Sequence, residues 1–150
     1  MSAPFRTALV LVLGLAAVAG LAVSVAFAEG IAPGLWRIVS RTQTGGVIGP
    51  PHESSRCLTT GEAQDVAATF APPAGAENSS CTPIEHSLNG QKLTWRVTCR
   101  GQLAMEETGE FNFDSPRHYT ATMRTRAAVS GKTMIDSQDM LEGQWISECR

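Results

Sequence analysis

Apolar and polar positions alternate through most of the chain after residue 80, which is the pattern of β-strands with one buried face. The run from His118 to Ala128 alternates most cleanly, and a run at 92–100 places Leu93, Trp95 and Val97 on one side. Further extended segments are predicted at 35–42, 52–57, 82–88, 103–114 and 133–141, with a last short one around residue 145. This spacing predicts an all-β, mainly antiparallel fold, a strand meander that forms a curved sheet, either an open barrel or a sandwich.

One short helix is predicted within this pattern, near residues 60–70. Thr59 and Glu62 have the spacing of a capping box, in which each side chain satisfies a free backbone N–H of the first turn. An apolar stripe at helical spacing follows, formed by Ala63, Val66, Ala67 and Phe70. The prolines at 72–73 end the helix.

Asn89-Gly90 between two extended segments predicts a two-residue hairpin turn, because both residues tolerate positive φ. Such a turn places Cys81 opposite Thr98, one position away from Cys99 and on the other face of the sheet. A disulfide between Cys81 and Cys99 therefore needs a bulge or an irregular start to the strand, for which Pro83 is suitable.

The first 28 residues have the pattern of a secretory signal peptide. A short stretch with Arg6 precedes an apolar run that ends in Ala26-Phe27-Ala28, with small residues where a signal peptidase cuts. We expect cleavage near Ala28, which leaves residues 29–150 as a single domain in the periplasm or outside the cell. The alternative is an uncleaved anchor, because the run is near the roughly 20 residues that cross a bilayer.

Charge and composition argue against several classes of partner and cofactor. The chain has 12 Lys and Arg against 14 Asp and Glu, with no basic block, so nucleic acid is a poor candidate partner. His52, His86 and His118 are scattered, and no cysteines form C-x-x-C, so we expect neither a metal nor another cofactor. No G-x-S-x-G or S-x-x-K motif is present, and we expect no enzymatic activity.

Four cysteines in an exported chain predict two disulfides. Three pairings are possible, and spacing alone does not choose among them. The hairpin favours Cys81 with Cys99, which leaves Cys57 with Cys149.

Two sets of side chains are candidates for contact with a ligand. Trp36, Trp95 and Trp145 are expected either to anchor the core and join the first and last strands, or to line a cavity together with Met123. Arg124 and Arg126 lie on the polar side of their strand. They either bind an anionic ligand or pair with Asp136 or Asp139 on the next strand.

The order of the short motifs resembles a known family. The motifs are Pro33-Gly34-Leu35-Trp36, Cys57-Leu58-Thr59, Cys81, the segment from Trp95 to Cys99 with Gly101, Gly109, and the closing segment from Trp145 to Cys149. Over residues 33–149 the chain resembles the exported bacterial proteins grouped as domain of unknown function 3617. Gly61 stands where these proteins often have proline, and Ser147 where glycine is common. The resemblance implies a periplasmic, disulfide-bonded β domain and brings no active site.

These observations together favour an exported, non-catalytic module that binds a small apolar or amphiphilic molecule in the concavity of the sheet. The alternative is a structural or protein-interaction protein of the cell envelope that acts through a strand edge.

Overall fold

The computed structural model describes residues 30–71, 79–82 and 84–150, with the side chain of residue 79 left out. The predicted signal peptide, the prolines at 72–73 and Pro83 lie outside the described residues. Within them the fold is all-β, as predicted, with nine strands and two short helices. The elements in chain order are β1 Gly34–Thr44, β2 Val47–Ile48, β3 His52–Leu58, α1 Thr60–Gln64, α2 Val66–Phe70, β4 Ser79–Cys81, β5 Glu85–Asn89, β6 Lys92–Gly101, β7 Leu103–Ser115, β8 His118–Val129 and β9 Lys132–Ser147.

All nine strands belong to one antiparallel sheet. The central order is β1-β9-β8-β7-β6, with β2 and β3 on the far side of β1 and with β4 and β5 on the far side of β6. The described strands on the two sides do not pair with each other, so the sheet is not closed into a barrel. Of the arrangements that the sequence left open, the structure is therefore a single open sheet and not a sandwich.

The predicted helix is two helices, because Asp65 interrupts it. This residue has φ −106° and ψ 72°, which ends α1, and its carboxylate accepts a hydrogen bond from the backbone N–H of Ala68 as the N-cap of α2. The capping box at the start of α1 is present as predicted, with Thr59 and Glu62 bonded to each other's backbone N–H. The helical stripe still points to one side, with Ala63 and Val66 buried.

The core lies on the face of the sheet that the helices cover, which we call the inner face. Cross-strand pairing places Leu93, Phe111 and Ala121 in one row of this face, and all three are buried. Phe70 of α2 packs on the sheet with its ring centroid 5.0 Å from Phe111, and it also contacts Phe113 and Tyr119. The opposite, outer face carries the polar residues that alternate with the core positions.

The first and last strands of the central sheet are neighbours, and two tryptophans meet there. Trp36 pairs with Trp145 across β1 and β9, next to a bulge at residues 35–36. Each indole N–H donates to a carbonyl just before β1, Trp36 to Ala32 at 3.0 Å and Trp145 to Pro33 at 2.9 Å. Gly34 has φ +136°, and a Cβ there would stand 2.4 Å from Trp145 Nε1. The Pro-Gly-Leu-Trp segment thus holds the C-terminal strand against the first one.

The hairpin turn lies one residue later than predicted. Asn89 pairs with Lys92, so the loop residues are Gly90 and Gln91, and the φ of +60° at Gly90 suits the first loop position of a type II′ turn. The register changes by one between β5 and β4, which brings Cys81 opposite Cys99. The irregular strand start that this disulfide needs is therefore present.

The structure has no long apolar helix among residues 30–71, 79–82 and 84–150. None of the helices described there could cross a membrane.

Candidate ligand-binding groove and its surroundings

A groove of about 590 Å³ opens between α2 and the strand edge at β5. Ala67, Ala68 and Ala71 form its helical side, and Ile84 with His86 forms the side toward the sheet. Two further polar groups, Asp65 and Thr69, complete the lining. Its walls are thus mostly apolar with a few polar groups, which is the usual make-up of a small-molecule site.

Local sequence explains why the described residues leave this space between α2 and β5. The small side chains of Ala67 and Ala68 in α2 and of Ala71 at its C-cap leave space that larger residues would fill. The fixed polar groups follow from the helix start, since Asp65 is the N-cap of α2 and Thr69 donates its hydroxyl proton to the carbonyl of Glu62 at 2.7 Å.

The groove borders a row of the inner face that contains an unpaired donor. His86 pairs with Trp95, which in turn pairs with Gly109 and lies with its ring over that glycine. Trp95 is 3% exposed, and its indole N–H has no hydrogen-bond partner among the described residues. A buried donor without an acceptor is uncommon in folded proteins, because its desolvation is not offset.

The candidate ligand-facing residues do not come together at one site. Trp36 and Trp95 are buried in the core, while Met123 and Trp145 are partly buried and pack against it. Arg117 lies over the Trp145 ring, with its guanidinium carbon 4.4 Å from the ring centroid. The aromatic residues therefore fill much of the concavity that they were expected to line.

Arg124 and Arg126 lie on the outer face and pair with the next strand. Arg124 is bidentate on Asp136, with nitrogen-to-oxygen distances of 3.0 and 3.1 Å, and Arg126 Nε lies 3.7 Å from the same carboxylate. Asp139, the other acid expected as a partner, lies on the inner side and accepts a hydrogen bond from Thr42. The two arginines thus lie on a solvent-exposed polar face and pair with an acid of the neighbouring strand.

The two disulfides join Cys57 to Cys149 and Cys81 to Cys99. The first ties β3 to the C-terminal end of the chain, and the second ties β4 to β6. All four cysteines are therefore oxidised, and no free cysteine is present. No group of three or more His, Cys, Asp or Glu residues in the described part of the chain could hold a metal ion.

Within residues 30–71, 79–82 and 84–150, three titratable groups have shifted pKa values. The backbone N–H of Thr59, with help from Arg56, lowers the pKa of Glu62 to about 2, and burial raises the pKa of Tyr119 to about 12. His118 lies between two carboxylates, with Nδ1 2.7 Å from Asp114 and Nε2 3.3 Å from Glu142. The hydrogen bond to Asp114 is the main cause that raises the pKa of His118.

Sequence reasoning did not identify the groove. It treated His86 only as one of three scattered histidines, and it used the apolar stripe at 63–70 only to predict a helix. The one available signal was the concentration of alanines at 67, 68 and 71 beside the core stripe, which indicates small volume on the helix. That the helix would lie beside Ile84 and His86 depends on the tertiary fold.

Comparison with known protein families gives a match that covers most of the chain. The model of a family described as a protein of unknown function (DUF3617) matches residues 31–149. No curated protein and no solved structure was found to match the chain.

Proposed function

The chain belongs to the DUF3617 family, and from that premise we propose that it is an exported, non-catalytic module that binds a small amphiphilic molecule. The observation that carries the proposal is the groove of about 590 Å³ between α2 and β5. Its volume lies in the range of roughly 300–1,000 Å³ that small-molecule sites occupy. Alanines and Ile84 contact the apolar part of the ligand, and Asp65, Thr69 and His86 bond its polar part.

Export is supported by the cysteines and by the leader pattern. Disulfides persist in oxidising compartments such as the periplasm and are reduced in the cytosol. Sulfur that is held in two disulfides also does not supply a thiolate nucleophile, which supports a binding role over cysteine catalysis.

A groove-filling variant tests the proposal. Ala68 lines the groove and is exposed, so Ala68→Phe adds a ring to the groove without entering the core. Gln64→Phe is the matched control, because Gln64 is an exposed position on α1 outside the groove lining. Binding of the amphiphilic fluorophore anilinonaphthalene sulfonate is measured by titration. Native mass spectrometry of the protein purified from the cell envelope detects any retained ligand.

We expect Ala68→Phe to weaken fluorophore binding by about tenfold or more, because the added ring occupies the groove. A tenfold change corresponds to about 1.4 kcal/mol of binding free energy. Gln64→Phe is expected to bind like the unmodified protein. Equal binding by both variants, or no binding by the unmodified protein, would count against the groove as the site.

The second candidate function is protein interaction through a strand edge. Among the described strands β3 pairs only with β1, and six of its seven side chains are exposed. An extended segment of an envelope protein could add to this edge through backbone hydrogen bonds. Glu53 and Arg56 are charges of the kind that discourage unselective pairing at an edge. A crosslink from β3 to an envelope protein, with fluorophore binding absent, would favour this function.

A further inference from the structure

Five of the seven exposed large apolar residues in the described part of the chain lie at one end of the sheet. We call it the turn end, since β1, β6 and β8 all finish there. The turns at 45–46 and 130–131 and the link at residue 102 lie at this end. The five residues are Val47, Ile48, Val129, Met134 and Ile135, with Val47 73% and Met134 63% exposed.

The strand pairing explains why these side chains have no cover. Val47 pairs with Thr44, which also pairs with Ser137 on β9. Ile135 precedes Ser137 by two residues and so lies closer to the turn end. Met134 is the extra residue where the register between β8 and β9 shifts, since Ala127 pairs with Ile135 and Ala128 with Thr133. The helices cover the other end of the inner face, so they leave this apolar surface exposed.

Basic residues accompany the apolar ones. Arg100 and Lys132 are exposed at the turn end, and neither forms an ion pair with an acidic residue of the described chain. Glu106 and Asp136, two acids near this end, pair with Arg96 and with Arg124. Arg126 shares the carboxylate of Asp136 with Arg124, and Glu107, which forms no ion pair within the described chain, accepts a hydrogen bond from Thr125. The net charge of the described residues at this end is therefore positive.

We propose that the turn end docks on the surface of an anionic lipid bilayer. Exposed apolar side chains at hairpin turns enter the interface between headgroups and acyl chains, and Arg100 with Lys132 attracts the lipid phosphates. The match in charge favours a bilayer over a second copy of the chain, because two copies would bring the same positive charges together. This surface is at the other end of the sheet from Trp36 and Trp145, and it is independent of the groove.

Vesicle co-sedimentation tests the proposal with the full exported chain. The probe is a vesicle of about one quarter phosphatidylglycerol in phosphatidylcholine, compared with pure phosphatidylcholine. One variant removes apolar groups, Val47→Ser with Met134→Ser, and a second reverses charge, Arg100→Glu with Lys132→Glu. The matched controls lie at the opposite end of the sheet: Ile146→Ser, which is 48% exposed, and Arg37→Glu.

We expect each turn-end variant to lower the partition onto anionic vesicles by about tenfold or more, and the two controls to leave it unchanged. Because all variants share the same N-terminus, a difference between them reports on the turn end and not on the leader. Circular dichroism of each variant verifies that it is folded. Equal loss in the controls, no binding of the unmodified protein to anionic vesicles, or self-association that the same variants abolish would overturn the proposal.

Discussion

At the residue scale, two glycines shape the inner face because large rings lie directly over them. A Cβ at Gly109 would stand 2.2 Å from the Trp95 ring, and one at Gly143 would stand 2.1 Å from the Tyr119 ring. Both rings belong to the core cluster, so neither can move away without disturbing its neighbours. The sequence shows a glycine in each strand, but it does not show which ring from the next strand will cover it.

Gly109→Ala is expected to lower the free energy of unfolding by about 1–3 kcal/mol, because the added methyl group overpacks the core against Trp95. Urea denaturation followed by circular dichroism measures the loss. Gly61→Ala is the control, since a Cβ at this helical position meets no atom within 4 Å and is expected to be neutral or stabilising. A Gly109→Ala protein as stable as the unmodified one would show that the Trp95 ring does not lie over residue 109.

At the element scale, what the sequence could predict depended on how local the cause is. The capping box, the alternation of β8 and the irregular strand before β5 follow from neighbouring residues, and all three are present. The helix near residues 60–70 is present, but its interruption at Asp65 was not predicted, and the turn predicted at 89–90 lies at 90–91. Both features depend on contacts between elements, namely the packing of α2 on the sheet and the pairing of β5 with β6.

A pH-dependent contact links three neighbouring strands. His118 at the start of β8 bonds to Asp114 in β7 and to Glu142 in β9, and its pKa is raised above the ordinary 6.5. A group whose pKa is raised by folding stabilises the fold fully at pH below its unfolded pKa. That contribution is lost as the pH rises through the folded value.

We expect the stability lost in His118→Gln to be largest below pH 6.5 and to shrink as the pH rises above it. Urea denaturation at about pH 5.5 and about pH 8.5 measures the two differences. In a background with Asp114→Asn and Glu142→Gln the pH dependence of the substitution should disappear. A difference that grows with pH would mean that His118 is held in its neutral form.

At the scale of the whole molecule, the all-β class and the four-cysteine frame could be predicted from the sequence, and the closure of the sheet could not. Alternation fixes which side chains share a face, but whether strands close into a barrel depends on the pairing of distant edges. The same limit applies to the groove and to the turn end, which arise where elements far apart in sequence meet.

Cys57 and Cys149 are 92 residues apart, so their bond restricts the unfolded chain over most of the domain. In the chain-entropy model, such a bond contributes about 4.5 kcal/mol.

The central claim is that the working protein is an exported domain held by two specific disulfides. A peptide map of the purified, unreduced protein tests it directly, because it reports the cysteine partners and the N-terminal residue together. The expected result is Cys57 linked to Cys149, Cys81 linked to Cys99, and a chain that starts at Glu29. Free thiols, a different pairing, or a chain that keeps its first 28 residues and stays in the cytosol would contradict it.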